Sequence, residues 1–295
     1  MGIKMNSDVK RMKERVAAIK ERHPNYRGIL EFFEKLLLAQ MKIWAQVECK
    51  PPEISEDRAK IRTKEGFPIL AKADLSIDPH LAGRLFRSIC RISKRENETL
   101  KVEVEKIERA LRRKKIDLET CIGKVAEGDQ DYLSRISADV GIDQGVMNFL
   151  LHTTIKPFVE VMASRLKDMV DEDLWEKGYC PICGSQPLMG ELRGQEGRRI
   201  WTCSFCGNQW RGKRVMCPFC ENTDHGSLRY FYTEKEKAYR LDICDKCKRY
   251  VKTVDSRELV EEIFLSIEDI ATLHLDILAA NKGFKRETFN FLGIF

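Results

Sequence analysis

The sequence predicts a multidomain chain of α plus small β class: a helical N-terminal domain, two small cysteine-ribbon modules and a closing helix. Three observations carry this. Residues 26–48 repeat large apolar side chains at helical spacing, helical periodicity stops after residue 178, and four CxxC pairs then follow in close succession. The expected divisions are 1–173 for the helical domain, 174–212 for the first module, 213–260 for the second, and 261–295 for a C-terminal helix and tail packing on the body.

Residues 6–22 read as a first helix, with Asn6 or Ser7 near its start and His23-Pro24 at its end. In 26–48, Leu30, Phe33, Leu37, Met41 and Trp44 recur every three or four residues, the period of one core-facing helical stripe. PPEISED and EGFPILAKADLSIDP read as loops, with prolines 51, 52, 68 and 79 restricting the backbone. Helices resume near His80 and run, with breaks, to about Val170. Gly128 and Gly141 mark turns, and Pro157, which has no N–H to donate, is expected to kink or restart its helix. The basic run RALRRKK, 109–115, reads as a solvated helix end favoured by the helix dipole. Cys49, Cys90 and Cys121 stand singly in helical patterns and read as small buried hydrophobes. Beyond LWEKG, 174–178, the stretches RRIWTC, SLRYFYT and AYRLDIC are rich in aromatic and branched residues and read as strands. The helical pattern returns near Ser266, a cap candidate, and stops at Gly283. Over 267–282 the expected apolar face is Ile270, Leu273, Ile277 and Leu278, with His274 and Asp276 at the surface or at a polar seam with the ribbons. The terminal FNFLGIF is apolar and is expected to tuck against the body.

The chain has 295 residues, 43% hydrophobic and 33% charged, enough to bury a core and stay in solution. Its most apolar stretch, VMNFLLHTTIKPFVEVMASRL, is broken by His152, Lys156 and Glu160 and falls short of the roughly 20 apolar residues a bilayer span needs, so no membrane insertion is expected. The N-terminus lacks the apolar core of a signal peptide, which makes a cytoplasmic protein the expectation. In that reducing compartment, clustered CxxC pairs bind metal or do redox work more often than they form disulfides. The formal net charge is +6, and residues 176–255 hold 15 Lys and Arg against 10 Asp and Glu. Eight thiolates on two divalent ions would nearly cancel that excess, so the basic balance is weak evidence for a nucleic-acid footprint. The chain has no GxxxxGK[ST], GxSxG, HExxH or GxGxxG, and no catalytic residue is assigned.

The four pairs are Cys180/Cys183, Cys203/Cys206, Cys217/Cys220 and Cys244/Cys247. CxxC turns two sulfurs to one side of a tight turn, and two such turns complete a tetrahedron of thiolates. Zinc and iron both accept that geometry, so two tetrathiolate ions, Fe or Zn, are expected. Pairing by adjacency places Cys180, Cys183, Cys203 and Cys206 at one site and Cys217, Cys220, Cys244 and Cys247 at the other; a cross-brace is the alternative. His225 follows Cys220 closely and reads as a surface histidine, since four sulfurs are already available.

GYCPICGSQP, WTCSFCGNQWRGKRVMCPFC, LDICDKCKRYVK and IEDIATLHLDILAANKGF, from about Leu174 to the end, resemble the FdhE family of formate dehydrogenase accessory proteins. EGFPILAKADLSID also looks like the family's pattern, less specifically. The resemblance implies a helical body carrying two rubredoxin-like (zinc-ribbon-like) modules, a cytoplasmic location, and a role in making active formate dehydrogenase by acting on its catalytic subunit. It implies metal binding at the eight cysteines above and supplies no catalytic residue. The glycine after the second cysteine is kept as Gly184 and Gly207 in the first module but is Glu221 and Lys248 in the second, a departure from the family's pattern.

The leading expectation is therefore a non-enzymatic assembly factor. Two alternatives come from other classes. A nucleic-acid-binding zinc ribbon would stack bases on Trp201, Trp210, Tyr230 and Tyr232 beside Arg198, Arg199, Arg211, Lys213 and Arg214, although such aromatics more often cover a ribbon's small core. A rubredoxin-like electron carrier would have little use for the long helical portion.

Overall fold

The computed structural model describes residues 2–288 apart from 235 and 260, with side chains from residue 7 onward. The apolar tail 289–295 lies outside the described residues.

The N-terminal part is built of α1 (Gly2–Arg22), α2 (Arg27–Trp44), α3 (Glu56–Glu65), α4 (Pro79–Glu96), α5 (Glu98–Arg112), α6 (Leu118–Glu127), α7 (Gln130–Val140) and α8 (Gln144–Leu166). Local chemistry sets their ends. Asp78, Asn97, Asp117, Asp129 and Asp143 each accept a hydrogen bond from a backbone N–H of the first turn they precede. Gly66, Gly128 and Gly141 close α3, α6 and α7 in left-handed conformation. Helix α3 falls between the two segments that read as loops. Its signature is present nonetheless: Ser55 caps the Arg58 N–H, Glu56 and Asp57 fill the first turn, and Gly66 ends it.

Helix α8 is buried nearly all round, through Phe149, Leu150, Leu151, Ile155, Phe158, Val159, Met162 and Leu166. It has α2, α4, α6 and α7 as neighbours. A helix apolar on every side belongs at the centre of a bundle, which explains its membrane-like composition. Among the described residues no helix is long and apolar enough to cross a membrane. Helix α8 also runs through Pro157 without restarting. Proline leaves the carbonyl four residues earlier, that of Thr153, without its helical donor. The side chain of Gln40 on α2 supplies one, with Nε2 donating to Thr153 O at 2.7 Å.

The cysteine-rich part forms a single sheet. Its strands are β1 (Pro187–Arg193), β2 (Arg198–Cys203), β3 (Gln209–Arg211), β4 (Leu228–Thr233), β5 (Glu236–Cys244), β6 (Arg249–Asp255) and β7 (Lys285–Arg286). The order is β3-β2-β1-β6-β5-β4, with β7 beside the start of β6. Each ribbon is an antiparallel meander, and the two join through parallel pairing of β1 with β6, Met189 opposite Lys252 through Leu192 opposite Asp255. The backbone hydrogen bonding is thus continuous from one ribbon to the other.

The closing helical segment differs from the sequence expectation in two ways. It is two helices, α9 (Leu265–Ala271) and α10 (Leu273–Asn281), meeting at Thr272, and α9 is preceded by Phe264 with no side-chain cap, so Ser266 does not cap it. Its buried side includes acids: Glu268, Asp269 and Asp276 are at most 2% exposed, whereas Ile277 is 56% exposed. The reason is partner supply. Arg15 of α1 donates to Glu268 at 2.7 Å and to the Tyr239 hydroxyl at 2.8 Å. Lys252 contacts Asp269 and Asp276 at 2.7 Å each, and Arg286 reaches the same two carboxylates at 2.8 and 3.0 Å. Two cations and two anions make that group neutral, which is the condition for burying charge.

Candidate metal centres

Sequence and local backbone geometry build each centre from two knuckles. Cys180 and Cys183 lie in the turn before β1; Cys203 ends β2 and Cys206 lies in the turn that follows. Cys217 and Cys220 lie between β3 and β4; Cys244 ends β5 and Cys247 lies before β6. In three of the four knuckles the N–H of the residue after the second cysteine donates to the carbonyl of the first: Gly184 to Cys180, Glu221 to Cys217 and Lys248 to Cys244, each at 2.9 Å. In all four, that residue adopts positive φ: Gly184 74°, Gly207 67°, Glu221 56° and Lys248 56°. Glycine occupies this conformation without cost, and a side chain there is strained.

The structure groups the eight cysteines by adjacency, as Cys180, Cys183, Cys203 and Cys206, and as Cys217, Cys220, Cys244 and Cys247, with the sulfurs of each group all within 4.8 Å of one another. Neighbouring sulfurs are 3.4–3.6 Å apart in the first group and 3.7–3.8 Å in the second. A regular tetrahedron with metal–sulfur bonds of about 2.3 Å has edges of about 3.8 Å, so both groups fit a tetrathiolate ion. Each group could hold one metal ion. Further donors aim at the sulfurs: the Phe205 and Cys206 N–H groups reach Cys203 Sγ at 3.4 Å, and the Asn208 and Asn222 amides reach Cys180 Sγ at 3.9 Å and Cys244 Sγ at 3.7 Å. Burial pushes the Cys180 and Cys206 thiols well up, while hydrogen bonds from the neighbouring thiols draw Cys183 well down. Burial also raises Cys247, to about 11.

The two centres differ in their surroundings. All four cysteines of the first are buried, and they belong to the same hydrophobic cluster as the helical body. The backbone of residues 69–70 pairs with the first knuckle, Ile69 N–H to Pro181 O at 2.9 Å and Leu70 N–H to Ile182 O at 2.8 Å. Helix α8 sends Lys156 and Glu160, 3.1 Å apart, toward the same centre. Burial opposes a charged Lys156, yet Glu160 and the sulfurs of Cys203 and Cys206 raise its pKa on balance. In the second centre Cys220 is exposed and Cys247 half-buried.

His225 is exposed and outside both sulfur groups. Trp201 and Trp210 are buried, while Tyr230 and Tyr232 are exposed and stacked on each other with centroids 6.2 Å apart. Most nearby basic residues have acidic partners: Arg198 with Glu196, Arg199 with Asp242, Arg211 with Asp173 and Lys213 with Glu176. Cys90 and Cys121 are buried and Cys49 is half-buried, and burial lifts Cys90 to about 12, as befits an inert hydrophobe. Sequence reasoning missed the buried acids of α9 and α10, whose partners are scattered from Arg15 to Arg286.

Two family models match the cysteine-rich part: FdhE, central domain, over residues 179–214, and FdhE, C-terminal domain, over residues 215–292. A relative named Protein FdhE homolog from Aquifex aeolicus is 27% identical over 285 residues, covering 95% of this chain and 93% of the relative. One of the same name from Edwardsiella ictaluri is 30% identical over 57% of this chain, a match spanning 55% of that relative's length. The crystal structure of the FdhE protein from Pseudomonas aeruginosa superposes with a TM-score of 0.67 at 22% identity, covering 96% of this chain and 94% of that one, and so shares the fold. Both FdhE domain models thus match in order over residues 179–292, a relative named as an FdhE homolog is similar along nearly the whole chain, and the fold is that of a solved FdhE protein.

Proposed function

We propose that this protein is a cytoplasmic accessory factor for formate dehydrogenase. It binds the enzyme's catalytic subunit before assembly is complete, through the region that two metal ions stabilise. The functional divisions are those of the sequence: 1–173 as a helical support, 174–212 and 213–260 as the two metal modules, and 261–295 as the segment locking them to the support. Similarity to the FdhE proteins supports the accessory role. The observation that carries the reading is the pair of four-cysteine groups joined by one continuous sheet. Cys180, Cys183, Cys203 and Cys206 hold one ion and Cys217, Cys220, Cys244 and Cys247 the other. A tetrathiolate ion supplies folding energy, and iron would add a one-electron couple that zinc lacks. The chain's own part is to fix the knuckles as rigid loops on a twisted sheet, which presents a partner with a preorganised surface.

Elemental analysis of anaerobically purified protein should find two equivalents of iron plus zinc. A visible spectrum separates them, because ferric tetrathiolate is coloured and zinc is colourless. In a deletion strain, the wild-type gene should restore formate-dependent activity, and Cys217→Ser with Cys220→Ser should not, while catalytic-subunit synthesis stays level. Purified protein should capture the isolated catalytic subunit and release the finished enzyme. Full formate dehydrogenase activity in the deletion strain would defeat the proposal.

A further inference from the structure

One face of the sheet carries an unusual group of guanidiniums. Arg199 of β2 reaches over β1 and β6 to Asp242 of β5, Nη1 to Oδ2 at 2.6 Å. Gly190 of β1 lies between and leaves the space, since a Cβ there would come within 2.7 Å of the Trp201 ring and 2.8 Å of Thr253 Oγ1. Arg240, also on β5, contacts the other oxygen of Asp242 at 3.0 Å, and Thr253 donates to that carboxylate at 2.7 Å. Both guanidiniums are held by aromatic rings, Arg199 at 4.8 Å from the Trp201 centroid and Arg240 at 4.7 Å from that of Tyr230. Arg199, Trp201, Tyr230, Arg240 and Asp242 line a cavity of about 390 Å³ between the sheet and the loop that begins the second ribbon.

The charge balance inside the cavity is incomplete. Arg229, Arg249 and Arg257 at its wall each have a carboxylate of their own, Asp245, Glu287 and Asp255, and the wall's one further carboxylate, Glu196, is paired with Arg198. Arg199 and Arg240 share the single carboxylate of Asp242, which leaves one positive charge over. Arg214 lines the mouth, is exposed, and has no acidic partner among the described residues, which makes two. The Arg199 side chain is only 9% exposed, and its Nε has no hydrogen-bond partner; neither has the Trp201 indole Nε1. Buried donors of this kind are costly unless something accepts from them.

We propose that this cavity is a binding site for a phosphate-bearing small molecule, with Arg199, Arg240 and Arg214 contacting the phosphate and the exposed ring of Tyr230 flanking the organic part. A phosphomonoester offers oxygens that guanidinium edges recognise bidentately; with the second centre's thiolates on the same wall, the match rests on the arginine donors left without a carboxylate and not on net charge. The volume lies at the lower end of small-ligand pockets, roughly 300–1,000 Å³, which suits a compact ligand better than a folded partner. The proposal does not depend on the accessory role above. Because Cys217 and Cys244 also line the cavity, its test must hold the metal state fixed.

The experiment titrates the full-length protein, loaded with zinc at both centres, with phenyl phosphate and with inorganic phosphate by calorimetry. Phenyl phosphate should bind saturably at one site and more tightly than inorganic phosphate. Arg199→Gln and Arg214→Ala should each weaken it about tenfold or more, the loss expected for a charged hydrogen bond. Arg211→Gln, exposed and paired with Asp173 away from the cavity, should change affinity less than about twofold, as surface pairs contribute little. Arg214 is on the surface, so its variant remains informative even if Arg199→Gln folds poorly; circular dichroism and zinc content check both. No saturable binding up to about 10 mM, weaker than any ordinary specific site, would overturn the proposal. Equal affinity in all three variants would do the same. So would a hexaglutamate peptide binding at these arginines where both phosphates fail, or Arg214→Ala altering only zinc retention, which would make the surplus charge a counterion for the second centre.

Discussion

Replacing Gln40 by Leu should strand the buried Thr153 carbonyl and cost about 1–3 kcal/mol, the penalty for an unsatisfied polar group. Pro157→Ala in the same chain should return most of that loss by restoring a helical N–H, and urea midpoints of the four combinations would show the coupling. A proline inside α8 was legible in the sequence; its remedy was not, because Gln40 lies more than a hundred residues away. The two side-chain-bearing residues at positive φ offer a second test. Lys248→Gly should raise stability by about 0.5–1 kcal/mol in thermal unfolding, since its contact with Asp245 is exposed. Glu221→Gly should gain less, because it loses Lys177 and the Gly178 N–H. Asp269 carries the pH dependence. Burial would raise its pKa, but Arg286 and Lys252 hold it below the usual carboxylate range. A depressed carboxylate contributes stability that is complete above its unfolded pKa of about 3.9 and is lost as pH falls through the folded value. Stability should therefore be level above about pH 5 and drop in acid. Lys252→Met should cost about 3–5 kcal/mol at neutral pH and shrink that acid-dependent part.

Helices α9 and α10 show where periodicity misleads. An apolar stripe was expected through Leu273 and Ile277, yet Leu275 is 1% exposed and Ile277 56%. The break at Thr272 changes the phase between the two helices, and three buried acids replace hydrophobes wherever Arg15, Lys252 and Arg286 supply the countercharge. A pattern search counts such acids as solvent-facing because it cannot see partners in other elements. Leu275→Asp should lower stability by about 3 kcal/mol or more, and Ile277→Asp by less than about 0.5, in parallel thermal melts. The reverse order would restore the face read from sequence. Strands fared better. The stretches RRIWTC, SLRYFYT and AYRLDIC coincide closely with β2, β4 and β5, since each is bounded by a knuckle or a turn whose residues are themselves diagnostic.

The two centres should respond differently to loss of their ligands. Cys180→Ser with Cys183→Ser should unfold the first ribbon. The first centre shares the body's hydrophobic cluster and pairs with the backbone of residues 69–70, so that change should also lower the melting temperature of the helical signal. Cys217→Ser with Cys220→Ser should leave it nearly unchanged. In the intact protein a zinc-binding dye should strip the second centre first, because Cys220 is exposed. Simultaneous release would show that the sheet couples the two. That coupling runs through the parallel seam between β1 and β6, and the seam has a consequence for the chain as it is made. Met189 leaves the ribosome well before its partner Lys252, and at about 5–20 residues per second the gap is roughly 3–13 s. For most of that interval, once Cys206 has emerged, the first ribbon has all four of its cysteines but carries a bare strand edge, an open template for any neighbouring chain. An ion captured early would hold the ribbon in shape while the rest of the sheet is still being synthesised, so the timing of metal supply would decide whether the nascent edge meets its own β6 or a stranger.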